Sequence, residues 1–259
     1  MLSRLSLRTR QLAETLSASL SANLPPNLRP NLLPSCCALC GAAGGESLCP
    51  GCRAQFIVPR GACCRQCAMP LPEGGDTDRC GACLDESPAY DATMAATDYG
   101  APLDQLVLAL KFGGQLALAP LFARLMRDAL LHAQEAALPD LLVPVPLGEA
   151  RLVQRGFNQA LEIARPLSRA LGIRLEARVC VRLRETDAQS TLHPEQRREN
   201  MRGAFSVAPA FVGNLDGLHV GVIDDVMTTG ETLNELAATL KRFGAARVTN
   251  FVFARTLLK

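Results

Sequence analysis

Ten of the eleven cysteines of this 259-residue chain lie between Cys36 and Cys83, and this cluster constrains the fold more than any other feature. Eight of them form four CxxC pairs: Cys37 and Cys40, Cys49 and Cys52, Cys64 and Cys67, and Cys80 and Cys83. A CxxC turn offers two thiolates to one metal ion, and two such pairs complete a tetrahedral site that is closed to substrate. The eight cysteines therefore predict two structural Zn²⁺ ions.

The spacing leaves several arrangements open. We expect each zinc ion to be bound by two CxxC pairs that are consecutive in the sequence, but a cross-braced arrangement satisfies the same spacing. Cys36 and Cys63 each precede a CxxC pair directly and could replace the neighbouring cysteine as a ligand. A disulfide cage is the alternative in an oxidising compartment, and redox chemistry uses fewer CxxC pairs than four. The distant Cys180 is expected to be a small buried apolar residue.

Composition divides the chain into three predicted domains. Residues 1–34 read as a flexible or weakly helical extension, residues 35–88 as a double zinc ribbon poor in periodic apolar pattern, and residues 89–259 as one larger domain. The extension lacks the apolar core of a secretory signal, and no apolar stretch approaches the roughly 18 residues that span a bilayer. We therefore expect a cytoplasmic protein without membrane insertion.

Apolar runs and helical patterns alternate after Asp140. "LLVPVP", "HVGVID" and "RVTNFVFAR" are typical of buried strands, whereas "NQALEIARPLSRALG" and "ETLNELAATLKRFG" have helical periodicity. Residues 97–140 also read as helical. Strands that alternate with helices require crossover connections, so the fold class is α/β, with a mainly parallel sheet flanked by helices.

One strand-to-helix junction, "VGVIDDVMTTGET", carries the chemistry. Ligands of open α/β sheets bind at the carboxyl ends of the strands, and the N–H groups of a helix N-terminus favour an anion. Thr228, Thr229 and Gly230 therefore predict a phosphate cradle, and Asp224 and Asp225 predict acceptors for neighbouring sugar hydroxyls. The junction is not a P-loop, because no lysine follows Gly230; the plain alternative is a capped helix after a buried strand.

The same junction resembles the phosphoribosyl pyrophosphate (PRPP) signature of type I phosphoribosyltransferases. The resemblance implies that Asp224 and Asp225 bind the ribose hydroxyls of PRPP, accompanied by Mg²⁺. It also assigns the 5-phosphate to the loop made of Val226, Met227, Thr228, Thr229, Gly230, Glu231 and Thr232.

Other stretches narrow the resemblance to the ComF family of competence-protein-F-like phosphoribosyltransferases. They are "PVPLGEARLVQRGFNQA", "RLRETDAQSTLHPEQRRENMRGAF", "LALKFGG" and the paired CxxC units, and together they span about residues 34 to 256. The expected fold is thus type I phosphoribosyltransferase-like with a small N-terminal four-cysteine zinc ribbon domain.

The resemblance also gives roles to basic residues. It places the pyrophosphate loop near Pro146 and Leu147, where Arg151, Arg155 and Asn158 are candidates for orienting the ligand, with helix capping and surface pairing as the alternative. Arg184 and Arg197, in a polar excursion between strands, are candidates for contacting pyrophosphate, unless that segment is only a solvated face. Lys111 either adds charge to the site or is a solvated helix lysine.

The resemblance implies a PRPP-binding phosphoribosyltransferase-like protein linked to DNA uptake in natural transformation, with single-stranded DNA and a helicase-like competence protein as partners. The alternative is a non-catalytic PRPP or nucleotide sensor, or an accessory protein that binds single-stranded DNA. Aromatic residues make up 4% of the chain and tryptophan is absent, so the stacking surfaces that usually hold single strands are scarce.

Overall fold

The computed structural model describes residues 35–72, 74, 77–133, 137–184 and 203–257. The extension 1–34 and Arg197 lie outside the described residues. The chain divides into two compact units, Met1–Pro50 and Gly51–Lys259.

The described part of the first unit is a short hairpin. Strand β1 (Ser35–Cys36) pairs antiparallel with β2 (Ala43–Gly44). The turn between them is closed by two backbone hydrogen bonds, since Cys37 N–H donates to Ala42 O at 2.8 Å and Gly41 N–H to Cys37 O at 2.9 Å. Gly41 has a φ of 73°, which an L side chain rarely adopts. The CxxC turn therefore has the tight geometry that its spacing predicts.

The second unit is built on a five-stranded sheet in which every neighbouring pair is parallel, in the order β3-β9-β8-β4-β5. Its strands are β3 (Ala92–Asp98), β4 (Leu141–Pro144), β5 (Arg174–Leu175), β8 (His219–Met227) and β9 (Arg247–Arg255). Three of them match the predicted apolar runs, so the predicted α/β class is confirmed. A separate antiparallel pair, β6 (Cys180–Arg182) and β7 (Phe205–Val207), flanks the polar excursion, of which residues 185–202 lie outside the described residues.

Strand β3 was not predicted, and Thr97 and Asp98 belong to it and not to the expected helical region. Its sequence, ATMAATD, is built mostly of small residues, which favour a strand only weakly. It forms because it adds to β9 at the edge of the sheet, with alternate residues buried.

Among the described residues, four helices fall where the apolar periodicity places them, whereas the three short ones, Pro50–Phe56, Gly81–Asp85 and Glu149–Arg155, were not predicted. In chain order the helices are α1 (Pro50–Phe56), α2 (Gly81–Asp85), α3 (Leu103–Lys111), α4 (Ala119–His132), α5 (Glu149–Arg155), α6 (Gln159–Leu171) and α7 (Glu231–Arg242). Helix α6 ends at Leu171, where the C-cap Gly172 takes a left-handed conformation with a φ of 68°, and Pro166 lies inside the helix.

Helices cover the sheet on both faces. Helices α4 and α6 pack against each other, α4 on β3 and α6 on β4 and β8, whereas α7 packs on β8 and β9. The β8–α7–β9 crossover runs across the sheet in the opposite direction from β3–α4–β4, so right-handed connections place α7 on the opposite face. Phe122 of α4 stacks on Phe253 of β9 with ring centroids 3.7 Å apart, deep in the core. None of the helices in the described residues is long and apolar enough to cross a membrane.

Candidate functional site

A cavity of about 260 Å³ opens at the carboxyl ends of β4 and β8. The predicted site residues that line it are Arg151, Arg155, Asp224, Asp225, Val226, Met227, Thr228, Gly230, Glu231 and Thr232, together with Lys111, Pro146 and Leu147. Asn158, Arg184 and Thr229 are not among the lining residues. The cavity therefore brings together three segments that are far apart in the chain.

The acidic pair lies at the end of β8. Asp225 is 2% exposed, and its Oδ2 lies 2.8 Å from Nζ of Lys111, the last residue of α3. The backbone N–H of Asp225 donates to Oδ1 of Asp224 at 2.9 Å. Burial, reinforced by the carboxylate of Asp225, raises the pKa of Asp224 to about 8, although Lys111 opposes part of the rise. The site is built to hold two acids at an electrostatic cost.

The predicted phosphate loop, residues 226–232, begins in the last two residues of β8 and ends in the first two of α7, and Gly230 precedes α7 with a φ of 92°. A Cβ at this position would lie 2.6 Å from Cε of Met227 and 3.0 Å from the hydroxyl oxygen of Tyr90, so a larger residue would be crowded as well as strained by the positive φ. The first turn of α7 follows at once, and the N-terminus of a helix carries partial positive charge that favours an anion. Oγ1 of Thr229 is buried and has no hydrogen-bond partner among the described residues.

Basic side chains also line the cavity. The guanidinium of Arg155 lies 5.1 Å from the ring centroid of Phe112, and its Nη1 donates to Oε1 of Gln159 at 3.0 Å. Burial lowers the pKa of Arg155, and the carboxylates of Asp225 and Asp224 oppose this. Arg182 also lines the cavity, whereas Arg184, two residues along the polar excursion, does not.

Asn158 positions the wall instead of lining it. Its Nδ2 donates to Val145 O at 2.9 Å, and its Oδ1 accepts from the N–H groups of Ala160 and Leu161 at 3.0 and 3.5 Å. One side chain therefore caps α6 and fixes the backbone that follows β4. Asn158 thus has the helix-capping role that was the alternative from the sequence, and it also shapes the wall of the site.

Sequence reasoning missed Arg255, the last residue of β9. Its guanidinium is 2% exposed, and Nε donates to Cys67 O at 2.8 Å. Nη1 donates to the carbonyls of Met227 and Thr256 at 3.1 and 2.7 Å, and it also contacts the carbonyl of Thr228. The available signal was an arginine at the carboxyl end of an apolar strand; in the sheet it lies level with Met227 of β8.

The eight paired cysteines form two groups, each with all Sγ atoms within 4.8 Å of one another: Cys37, Cys40, Cys49 and Cys52, and Cys64, Cys67, Cys80 and Cys83. These are the expected consecutive pairs. All eleven cysteines lie in the described ranges and none forms a disulfide. As expected, the distant Cys180 is buried, and burial raises the pKa of its thiol to about 12.

The donor sets fit zinc. Four thiolates at about 2.3 Å from a tetrahedral Zn²⁺ stand about 3.8 Å apart. The Sγ atoms of Cys40 and Cys49 are 3.7 Å apart, and those of Cys67 and Cys80 are 3.5 Å apart. Both sites are structural zinc sites with no open position for a substrate.

The parallel sheet with an acidic pair at its carboxyl edge, together with two structural zinc sites, makes this an α/β protein with an N-terminal zinc ribbon. Residues 30–84 match the double zinc ribbon domain. The DNA utilization protein YhgH of Salmonella typhi is 36% identical over 213 residues, which cover 81% of this chain and 91% of that protein. Competence protein F of Haemophilus influenzae is 33% identical over 213 residues, with the same coverage of 81% and 91%.

The chain belongs to the ComF family, which includes these two relatives. Among solved structures, the glutamine PRPP amidotransferase from B. subtilis, complexed with ADP and GMP, is 19% identical with a TM-score of 0.33. That similarity covers 53% of this chain, which spans a quarter (25%) of the length of that enzyme.

Proposed function

We propose that the cavity binds PRPP and that the protein is a phosphoribosyltransferase-like member of the DNA-uptake machinery. The observation that carries the proposal is the arrangement of two carboxylates and a glycine-ended loop at the start of α7 around one cavity. A ribose 5-phosphate needs both: acceptors for its diol and donors for its anion. The family resemblance assigns these roles to Asp224 and Asp225 and to residues 226–232.

The charge balance of the cavity supports a strongly anionic ligand. Four cationic side chains line it, those of Lys111, Arg151, Arg155 and Arg182, against the carboxylates of Asp224, Asp225 and Glu231. PRPP carries a pyrophosphate and a 5-phosphate, and guanidinium groups bind such oxygens with paired hydrogen bonds. The proposed orientation places the 5-phosphate at α7 and the pyrophosphate near Arg151 and Arg155.

The chemistry that this arrangement supports is transfer of the phosphoribosyl group. The bond between the anomeric carbon and pyrophosphate breaks, a bond to the acceptor forms, and pyrophosphate leaves. Arginines that face the leaving group stabilise the charge it gains. The carboxylate oxygens of Asp224 and Asp225 are of the type that Mg²⁺ prefers, and bound Mg²⁺ would supply further positive charge to the pyrophosphate. No covalent nucleophile is required.

The link to DNA rests on the relatives named as a DNA utilization protein and a competence protein. A helicase-like competence protein and single-stranded DNA are the proposed partners. The second candidate function is a PRPP sensor that retains the pocket without turnover.

Calorimetric titration with PRPP and Mg²⁺ tests the proposal. The wild-type chain is expected to bind, and the double variant Asp224→Asn with Asp225→Asn is expected to lose binding while it keeps two zinc ions per chain. Asp85→Asn changes an exposed acid and serves as the matched control. Binding retained by the double variant would refute the site assignment.

Two further measurements separate the functions. Pyrophosphate release with a panel of acceptors supports an enzyme, whereas binding without release supports a sensor. Binding of labelled single strands that weakens steeply with salt supports direct contact with DNA.

A further inference from the structure

The second four-cysteine group lies in the same compact unit as the sheet, and Arg255 joins it to the predicted phosphate loop. The loop and the group are distant in sequence, since Arg255 bonds to Cys67 across 188 residues. A buried guanidinium is stable only when its N–H groups are paired. Arg255 therefore requires the carbonyls on both sides of it to be in place.

On the zinc side, the carbonyl that Arg255 binds is set by the metal-binding turn. Cys67 is the second cysteine of its CxxC pair, and the turn closes when Ala68 N–H donates to Cys64 O at 2.8 Å. Ala68 has a φ of 58°, which is unusual for a residue other than glycine. Two thiolates on one ion hold this turn, so the direction of the Cys67 carbonyl depends on the site being closed.

On the ligand side, Arg255 binds the carbonyls of Met227 and Thr228. In a trans peptide the C=O and the following N–H point in opposite directions. Holding these two carbonyls therefore turns the N–H groups of Thr228 and Thr229 to the other side of the loop. These are the donors that an anion in the loop requires.

A second connection runs parallel to the first. Gln66, which lies inside the same CxxC pair and is 8% exposed, donates from Nε2 to the carbonyls of Tyr90 and Pro88 at 3.0 and 3.2 Å. The hydroxyl of Tyr90 in turn lies against Gly230, 3.0 Å from where a Cβ would stand. Two parts of the loop, residues 227–228 and Gly230, are thus connected to the turn that carries Cys64 and Cys67.

We propose that Arg255 is a positioning residue through which zinc at the second four-cysteine site orders the anion-binding loop, so that loss of this zinc weakens anion binding. The inference rests on the proposed function only for the identity of the anion, PRPP. The order of the loop can be measured without any ligand.

Hydrogen exchange of the full-length chain, with zinc content measured in parallel, tests the proposal. Cys80→Ser is expected to lose one zinc ion and to raise exchange of residues 226–232 at least tenfold. Cys40→Ser also loses one zinc ion, but from the first group, and is expected to leave exchange of this segment unchanged because Arg255 bonds to Cys67 of the second group.

Arg255→Lys removes the guanidinium group and leaves all the zinc-binding cysteines unchanged. It is expected to keep two zinc ions, to raise exchange of residues 226–232, and to weaken PRPP binding at least tenfold, while residues 220–223 of β8 stay protected. If Cys80→Ser also loses protection in residues 220–223, its loss is global and Arg255→Lys decides the matter.

Unchanged loop exchange in Arg255→Lys overturns the inference, as does unchanged loop exchange in a folded Cys80→Ser variant that has lost its zinc. A wild-type chain that does not bind PRPP refutes the proposed function instead, and the exchange data still decide whether zinc orders the loop.

Discussion

Lys111 and Asp225 form an ion pair in which the ammonium nitrogen lies 2.8 Å from a carboxylate oxygen. The lysine side chain is 22% exposed and the aspartate side chain only 2%. Two adjacent acids at the end of a buried strand repel each other. Lys111, on helix α3, neutralises the charge of one of them. This ion pair also resolves the two roles weighed for Lys111, because the lysine faces the site and is not a solvated surface residue.

Removing the ammonium is expected to leave a buried charge unpaired. Lys111→Met should lower the free energy of unfolding by about 3 kcal/mol, as is typical when one partner of a buried pair is lost. Lys241→Met is the matched control, because Lys241 pairs with Asp91 at 2.8 Å where both side chains are about one-third exposed. There the expected loss is below about 1 kcal/mol. Urea denaturation measures both, and equal losses would contradict the prediction.

Asp224 is expected to make stability depend on pH. Its pKa rises from 3.8 in the unfolded chain to about 8 in the fold, so the folded chain binds more protons between these values. Stability contributed by the protonated acid is therefore present at low pH and lost as the pH rises through this window. Asp224→Asn should remove the dependence and be more stable than wild type at the alkaline end.

Thermal denaturation across the same pH window checks this prediction. A wild-type protein whose melting temperature stays parallel to that of Asp224→Asn at every pH would show that burial of Asp224 costs nothing. A gain in stability together with loss of PRPP binding would mark the acid as a functional residue held at the expense of the fold.

Alanine variants of Gly230 and Gly156 distinguish the cost of side-chain crowding from the cost of backbone strain. Both glycines have a positive φ, 92° and 78°, but a Cβ meets Met227 and Tyr90 only at Gly230, and nothing within 4 Å at Gly156. Gly156→Ala should cost about 1 to 2 kcal/mol of folding free energy from strain alone. Gly230→Ala should cost clearly more and also weaken PRPP binding. Equal costs in urea denaturation would mean that Met227 and Tyr90 move aside freely.

Arg155 is expected to contribute to ligand binding through its guanidinium. Arg155→Met should weaken PRPP binding about tenfold in calorimetry, which corresponds to one charged hydrogen bond of about 1.4 kcal/mol. Arg165→Met is the control, because Arg165 is exposed and pairs with Glu162 at 2.6 Å on the surface of α6. Similar PRPP affinities of the two variants would show that Arg155 does not contribute to binding.

The zinc pairing predicts which cysteines can be replaced. Cys36→Ser and Cys63→Ser should both keep two zinc ions per chain, because neither belongs to a four-cysteine group. Cys37→Ser should lose one ion, since three thiolates leave the site open. Zinc content by mass spectrometry decides this, and a loss of zinc in Cys36→Ser or Cys63→Ser would show that the register is shifted.

Local pattern determined much of this protein from the sequence alone. The CxxC spacing specified the zinc ligands because both cysteines of a pair lie within one turn of backbone. The apolar run before Asp224 and the glycine before α7 specified a strand, a loop and a helix for the same reason. The boundaries of α7 and β9 follow from residues a few positions apart, whereas β8 continues three residues past the predicted HVGVID run, to Met227, so that both acids lie inside the strand.

Only the tertiary structure decided which distant residues complete the site. Nothing near Asp225 in sequence indicates Lys111, and nothing near Met227 indicates Arg255 or Cys67, because these contacts arise from the order of strands in the sheet. Strand β3 likewise exists because β9 offers it an edge. Residues that are neighbours in sequence determine turns and helices. The partner of a buried charge such as Asp225 is instead supplied by the helix that packs against its strand.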